Sequence, residues 1–554
     1  MNDRARRIAN LSLEQRRLLE HMLQDPTQVR TDEGIPALSR YSESGQPAAF
    51  PLSSAQRVMW LNKQPPACVH NIPLPAMRLC GPLDVGALEA SLQEICTRHE
   101  ALRTTFGTQE DGEPVQIVGP PRPVALTQVD LRELPPEARE AEVSRLLAQE
   151  ARRPFDLSGD LMLRATLARL DEEHVLLLAI HHIVSDGWSV DVLIGELSAL
   201  YNALRSGRRA SLPELPVQYA DYVAWQQQRL EDGELQRLMD YWKNQLADAP
   251  VALHLPSGSP RLWLMRTSKG THQELRMPAW LLQELHVLCR RQNVTLFMML
   301  LAAWATLLHR YSGEEDILIG TFAANRNRPE VENLIGYFAT LLILRHDLSA
   351  DHPFTEFLKR VRKTAVGAFS HSELPVEKLL NELYIDCQVT FTLQTTAHSN
   401  LQLDGLQVER VKTDASRSTP FLKLVMIEGD EGLTARLAYN AYLFEATTIV
   451  QMLGDFQGLL EGIVVDPEQR LSRLPLLSEA ERGAAAAEAQ PLGLPARPAQ
   501  ARSLSIRLRK RLRRSLRQAR RAAGRLLRTG QAWPLVGRLF VRTEKVLGRL
   551  LPPM

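Results

Sequence analysis

Two rhythms of apolar and polar positions alternate along this chain. From Val175 to Ile180 six aliphatic residues follow one another without a polar break, and the run stops at His181 and His182. A short apolar run bounded by polar residues and glycine predicts a β-strand covered on both faces. Leu161 to Leu170 reads as its neighbour, joined through the turn Asp171-Glu172-Glu173. Elsewhere the period is helical. Leu88, Leu92, Ile95 and Cys96 share one face of a helix over 84–99, and a charged helix is expected over 136–152. Ser189 is the expected cap of a helix running to about Leu204, with Val192, Leu193, Leu197, Leu200 and Tyr201 inward. Between these elements, 110–136 reads as acidic and Pro-rich turns.

A break at 206–218, SGRRASLPELPVQ, precedes a long helical region from Tyr219 to Leu246, and the texture then repeats. Leu296 to Tyr311 is expected to be a buried helix. Ile317 to Phe322, Leu341 to Leu344, Val389 to Leu393, Lys423 to Glu428 and Thr434 to Tyr439 are expected strands, and 446–464 a final helix. Strands and helices in both halves of 554 residues, too many for one compact core, point to an α/β fold of the α+β type in two lobes. The divisions read from the pattern are 1–49, a helix capped by Ser12 and then a linker; 50–210, the first lobe; 211–483, the second; and 484–554, a low-complexity linker and basic tail.

Charge changes this picture only at the end of the chain. Residues 501–550 carry about 16 Lys and Arg and one Glu, a surplus of about 15 against a chain total of +2, so the rest is near −13. Leu504, Leu508, Leu512 and Leu516 recur every four residues within the Arg-rich stretch. That pattern suits an anionic membrane surface, an acidic protein partner, nonspecific nucleic-acid contact or a solubilising extension. No nucleic-acid motif accompanies it, so no specific nucleic-acid partner is expected. Five scattered cysteines without a CxxC pair argue against a disulfide framework and a zinc site, and suit a reducing cytoplasm. The N-terminus has no apolar signal region, and no stretch approaches 18 uninterrupted apolar residues. The expected location is cytoplasmic, with the tail as the one candidate for peripheral membrane contact.

The chemistry concentrates at VLLLAIHHIVSDGWSVD. Neighbouring side chains on a strand point to opposite faces, so only one of His181 and His182 faces a given cleft. Histidine is the usual group for taking a proton near neutral pH. Asp186, four residues on, is placed to fix the loop or the ring, or to pair with an arginine from elsewhere. By itself the pair fits packed, structural histidines better than a catalytic one.

The wider wording is more specific. His181-His182-Ile183-Val184-Ser185-Asp186-Gly187-Trp188 resembles the HHxxxDG motif of the condensation domains of nonribosomal peptide synthetases, a branch of the chloramphenicol acetyltransferase-like superfamily. Leu52 to Trp60 is similar to the first core motif of that family, and Arg98 to Phe106 matches RHExLRTxF. Tyr219 to Trp225 resembles the fourth motif, Asp316 to Arg328 with Leu334 to Phe338 the fifth, and His371 to Glu377 the sixth. Six motifs in family order cover roughly residues 10–483.

The resemblance implies two lobes set as a V around a tunnel, and amide formation, less often ester formation, between a carrier-bound acyl or peptidyl thioester and a nucleophile. It implies that His182 is the catalytic or substrate-positioning residue, that His181 and Asp186 are architectural, that Gly187 lines the tunnel beside Trp188, and that Asp186 pairs with an arginine, for which Arg326 is the candidate. The domain is expected to hold no cofactor or metal itself. Its partners would be donor and acceptor carrier proteins bearing phosphopantetheine arms, with a small-molecule amine as an alternative nucleophile. Both histidines argue against the heterocyclisation subtype and DGWS against epimerisation; the wording is closest to the subtype taking L-configured peptidyl donors.

Three departures stand out. Gly336-Tyr337-Phe338-Ala339-Thr340-Leu341 replaces the family's GFFVNT, the link from Leu383 to Val389 is short, and nothing recognisable follows residue 483. The last point suggests a free-standing domain meeting its partners in trans. The first two motivate a competing reading as a catalytically silent carrier-binding platform. A third reading is an acyltransferase using free acyl-CoA.

Overall fold

The computed structural model describes residues 34–61, 71–74, 76–250, 253, 255, 270–374, 385, 387–395, 401–411, 421–429 and 431–476. The helix expected over 1–25, the basic tail and, in the link after Leu383, residues 384 and 386 lie outside these residues. Two mixed sheets form the fold. The first has the spatial order Gln407–Arg410, Met77–Cys80, Glu173–His181, Leu163–Arg169, Leu126–Asp130, and Asn71–Pro73 pairs with the last turn of the central strand. The second runs Thr340–Asp347, Asp316–Ala323, Val389–Thr395, Leu422–Gly429, Gly432–Asn440, Gly270–Arg276. A third sheet of three short strands joins Ala49–Pro51, Pro114–Val118 and Thr104–Thr108.

Each six-stranded sheet buries a face against helices, for the reason its sequence shows. In Glu173–His181 the residues Val175 to Ile180 are all buried, as an uninterrupted aliphatic run requires. Leu296–Ser312, apolar on every side, is buried from Met298 to Leu308, whereas Pro136–Arg152 buries only Val143 and lies on the surface. Each buried leucine of such a helix is worth about 1.5–3 kcal/mol over its exposed state. Ala446–Val465 is long and apolar enough to cross a membrane, but its inner face, from Ile449 to Ile463, is part of the second core.

Packing does not follow a boundary at 210. The first core recruits Val331, Leu334, Ile335 and Phe338, and also Leu401 and Leu403, from much later in the chain. The strand Gln407–Arg410 completes the first sheet rather than the second. Nor are residues 34–49 a free linker. Ile35 is buried, and Arg40 reaches Glu100 at 2.6 Å and both carboxylate oxygens of Asp221 at 2.7 and 2.8 Å. The Pro114–Val118 strand, read from sequence as turn, forms because all five of its residues pair with Thr104–Thr108 and Val118 packs with Phe50 and Ala220.

The helical stretch from Tyr219 divides at a single π-turn, Leu230–Glu234, with Gly233 at φ 99°. Tyr219–Arg229 packs Tyr219, Tyr222 and Val223 into the first core; Leu235–Gln245 packs Leu238 and Trp242 into the second. Trp60, Trp242 and Trp304 are buried as their helical spacing suggests. Trp225 is different: it is partly exposed, with the guanidinium carbons of Arg229 and Arg328 at 5.3 and 5.1 Å from its ring.

Candidate active site

The site is the turn that leaves the central strand of the first sheet. His181 is the last strand residue, paired opposite Asn71, and His182 opens a 3-10 turn, His182–Val184. The two rings part at this point. His181 is buried edge-on to Phe155 at 5.7 Å, and its Nδ1 accepts from the Ile183 amide at 3.1 Å. That contact leaves the proton of a neutral ring on Nε2. His182, partly exposed, has Nδ1 2.5 Å from the Ser185 carbonyl oxygen. A carbonyl only accepts, so Nδ1 carries the proton and the lone pair of the neutral ring is on Nε2. Adjacent histidines therefore hold opposite tautomers.

The turn itself is pinned from three sides. Gln56, fully buried in the helix Ser54–Leu61, donates to the Ile183 carbonyl at 3.1 Å, so the first motif serves as a strut under the loop. Ser185 Oγ donates to the His181 carbonyl at 3.0 Å. Asp186 caps the helix Gly187–Arg205 by accepting from the Ser189 amide at 2.8 Å. The expected cap was Ser189. The cap lies three residues earlier because an aspartate reaches the free amide of the helix's first turn and carries the favourable charge there.

Asp186 and Arg326 meet. The guanidinium lies 3.3 Å from Asp186 Oδ1, donates to Ser189 Oγ at 2.9 Å and to the carbonyls of Val331 and Leu334 at 2.7 Å each, and stacks 4.1 Å from the Phe338 ring. Burial pulls the Arg326 pKa below its ordinary value, while Asp186 works in the opposite direction. Asp186 Oδ2 also accepts the Phe338 amide at 3.1 Å. Trp188 is exposed on one side and donates Nε1–H to the Glu332 carbonyl at 2.8 Å. Gly187 is exposed, has no positive φ, and a Cβ there would meet nothing within 4 Å. Nothing in its own backbone requires glycine, and the space in front of it is open.

Several partners carry no motif signal that singles them out. Ser189 Oγ is 2.8 Å from Asp186 and 2.7 Å from the Gly336 carbonyl, and accepts the Gly336 amide at 3.1 Å. The Tyr337 ring lies against His182, centroids 4.6 Å apart. Tyr219, wholly buried with its hydroxyl pKa pushed up by that burial, donates to the Tyr337 carbonyl at 2.7 Å. The charged motif Arg98-His99-Glu100 works as scaffold. His99 and Arg98 hold Glu196 at 2.8 and 3.0 Å; burial alone would raise that carboxyl, but these partners outweigh it and keep the pKa low. Arg103 bonds the Gly119 carbonyl. His371 stacks on Tyr241 at 3.7 Å, away from the turn. Thr340, at the altered fifth motif, accepts from Asn325 at 2.7 Å. Among the described residues no group of His, Cys, Asp and Glu is arranged to hold a metal ion.

The condensation-domain family matches residues 47–484. One of the linear gramicidin synthase proteins of Brevibacillus parabrevis is 43% identical over 446 residues, which are 78% of this chain and 6% of that protein. The chain spans a tenth or less of the length of the first curated relatives. Among solved structures, the X-domain from teicoplanin biosynthesis is similar at 30% identity and a TM-score of 0.70, covering 80% of this chain and all of that one; it is also known as a complex with OxyB. The first condensation domain of the calcium-dependent antibiotic synthetase shares the fold at 23% identity and a TM-score of 0.65, with coverage of 78% and 99%.

Proposed function

The chain belongs to the condensation-domain family, and on that premise we propose that it joins a carrier-bound acyl or peptidyl thioester to an amine, less often a hydroxyl, with His182 as the group that receives the nucleophile's proton. The attacking nitrogen forms the new bond to the thioester carbonyl carbon, and the carbon–sulfur bond breaks. The proton shed by the nitrogen passes to His182 Nε2 and then to the departing thiolate of the phosphopantetheine arm. The arm belongs to the donor carrier protein, and the nucleophile arrives on a second carrier or as a small amine. Holding thioester and nucleophile in line supplies much of the acceleration, and a placed base typically adds 10²–10⁴-fold.

One observation carries this reading: the Ser185 carbonyl fixes the Nδ1–H tautomer of His182, so that the opposite nitrogen is basic. His181, Asp186 and Arg326 act as the frame, and open space at Gly187 suits passage of the arm. The test supplies acyl-loaded donor carrier and amine to the full chain and weighs the product by mass spectrometry. His182→Ala is expected to lose at least 100-fold; undiminished turnover would remove the histidine from the reaction.

A second reading, a recruiting platform without turnover, is favoured by the complex that the teicoplanin X-domain forms with OxyB. It predicts carrier binding with no product from any loaded carrier. Product from free acyl-CoA but not from carrier thioester would instead mark a soluble-thioester acyltransferase. We assign the reaction to the cytoplasm, a reducing compartment that suits five scattered cysteines without a CxxC pair. On its sequence alone, 484–554 is assigned an anionic membrane surface or an acidic protein as its contact. Equal association of the full chain and a 1–483 form with anionic liposomes would rule out the membrane.

A further inference from the structure

We propose that Tyr337 is the positioning residue of His182, an inference that rests on His182 being the proton acceptor. The Ser185 carbonyl holds one atom of the imidazole, at 2.5 Å from Nδ1. That hydrogen bond fixes the tautomer, but by itself it lets the ring swing about the line of the bond. The Tyr337 ring lies across it, with centroids 4.6 Å apart and planes inclined by 37°. The second contact removes the freedom that the first one leaves.

The tyrosine is itself held unusually firmly for a loop residue. Three successive backbone units are fastened to three side chains. Gly336 exchanges contacts with Ser189 Oγ through its amide at 3.1 Å and its carbonyl at 2.7 Å. The Tyr337 carbonyl accepts from Tyr219 at 2.7 Å, and the Phe338 amide donates to Asp186 at 3.1 Å. Asp186 and Ser189 belong to the turn and helix that follow His182. The loop that presents Tyr337 is therefore tied to the loop that presents the histidine, and the two rings share one frame. Glycine at 336 is required for this, because a Cβ there would collide with the Tyr219 ring. With the backbone fixed, only two side-chain torsions remain to place the Tyr337 ring.

The contact with His182 is made by the ring face, which separates two variants. Using the full chain with acyl-loaded donor carrier and amine, Tyr337→Phe is expected to keep kcat within twofold. Tyr337→Ala should lower kcat about 10- to 100-fold, the scale of a misplaced reacting group, with KM for the amine within twofold. Tyr337→Leu, which fills most of the same space, reports on the ring where the alanine variant fails to fold; it should also lose kcat. Normal kcat in a folded alanine or leucine variant, beside a His182→Ala control that is inactive, overturns the positioning role and leaves the base intact. An active His182→Ala control overturns the base reading and with it this inference. Equal losses in the phenylalanine and alanine variants would assign the effect to the hydroxyl and overturn the ring contact.

Discussion

Arg326 and Asp186 form an ion pair at 3.3 Å across 140 residues of sequence, and both side chains are almost wholly buried. Such a pair adds little net stability over an apolar one, because both charges must leave water. Its use here is geometric. The carboxylate that meets Arg326 also caps the helix after the histidine turn and holds the Phe338 amide, so one residue sets the relation of three segments.

Asp186→Asn should be costly for that reason. The asparagine can still cap the helix, but Arg326 keeps its charge in a buried place with no anion beside it. Breaking one partner of a buried pair costs about 3–5 kcal/mol. The remaining bonds from Arg326 to the carbonyls of Val331 and Leu334 set the expectation near the lower figure. Denaturant midpoints at constant m-value measure it, and a loss below about 1 kcal/mol would contradict the buried-pair account.

Gly187→Leu should separate folding from passage of substrate. The position is exposed, its φ is not positive, and a Cβ added there meets nothing within 4 Å. The thermal midpoint should stay within a few degrees. Turnover with carrier-bound donor should fall at least tenfold, since the side chain occupies the open space that the arm is proposed to use. Wild-type turnover would place the arm elsewhere.

His346 gives the fold a defined acid sensitivity. It is buried in Thr340–Asp347, edge-on to Phe357, and its Nε2 has no hydrogen-bond partner among the described residues. Burial pushes its pKa down to about 4 from an ordinary 6.5. A depressed histidine pKa means that the folded state prefers the neutral ring. The contribution is fully present above pH 6.5 and is lost as the pH falls from 6.5 toward 4, on the order of 3 kcal/mol in all. His346→Leu should flatten that part of the stability profile while leaving stability at pH 7.5 little changed. Parallel acid profiles for the two proteins would show that another group governs it.

Local pattern carried much of the architecture. The uninterrupted run before His181 could hardly be anything but a covered strand, and Pro136–Arg152 follows its charged helical period to the residue. The meeting of Asp186 with Arg326 was legible only through motif resemblance, since no periodicity relates positions so far apart. Ser189, Tyr219 and Tyr337 escaped as site residues because their roles depend on backbone contacts between segments, which side-chain identity does not encode. Leu126–Asp130 and Gln407–Arg410 were missed as strands for a related reason. They lie at sheet edges with mostly polar, exposed side chains, so the alternation that marks a half-buried strand is faint. Arg40 resembled linker because one half-buried ion-paired side chain in a polar stretch leaves no pattern.

The late strand Gln407–Arg410, which finishes the sheet begun by Met77–Cys80, sets a timetable for biosynthesis. A ribosome adding about 5–20 residues per second reaches it roughly 10 to 50 s after His181 has been made. Throughout that interval Met77–Cys80 is an open sheet edge of the kind that invites mispairing. The histidine turn, although translated early, waits for Arg326 and the 334–338 segment before it has a frame. Slow elongation or early release within this window exposes an unfinished first core, which makes nascent chains whose last residue lies between about 180 and 410 the natural clients of a chaperone.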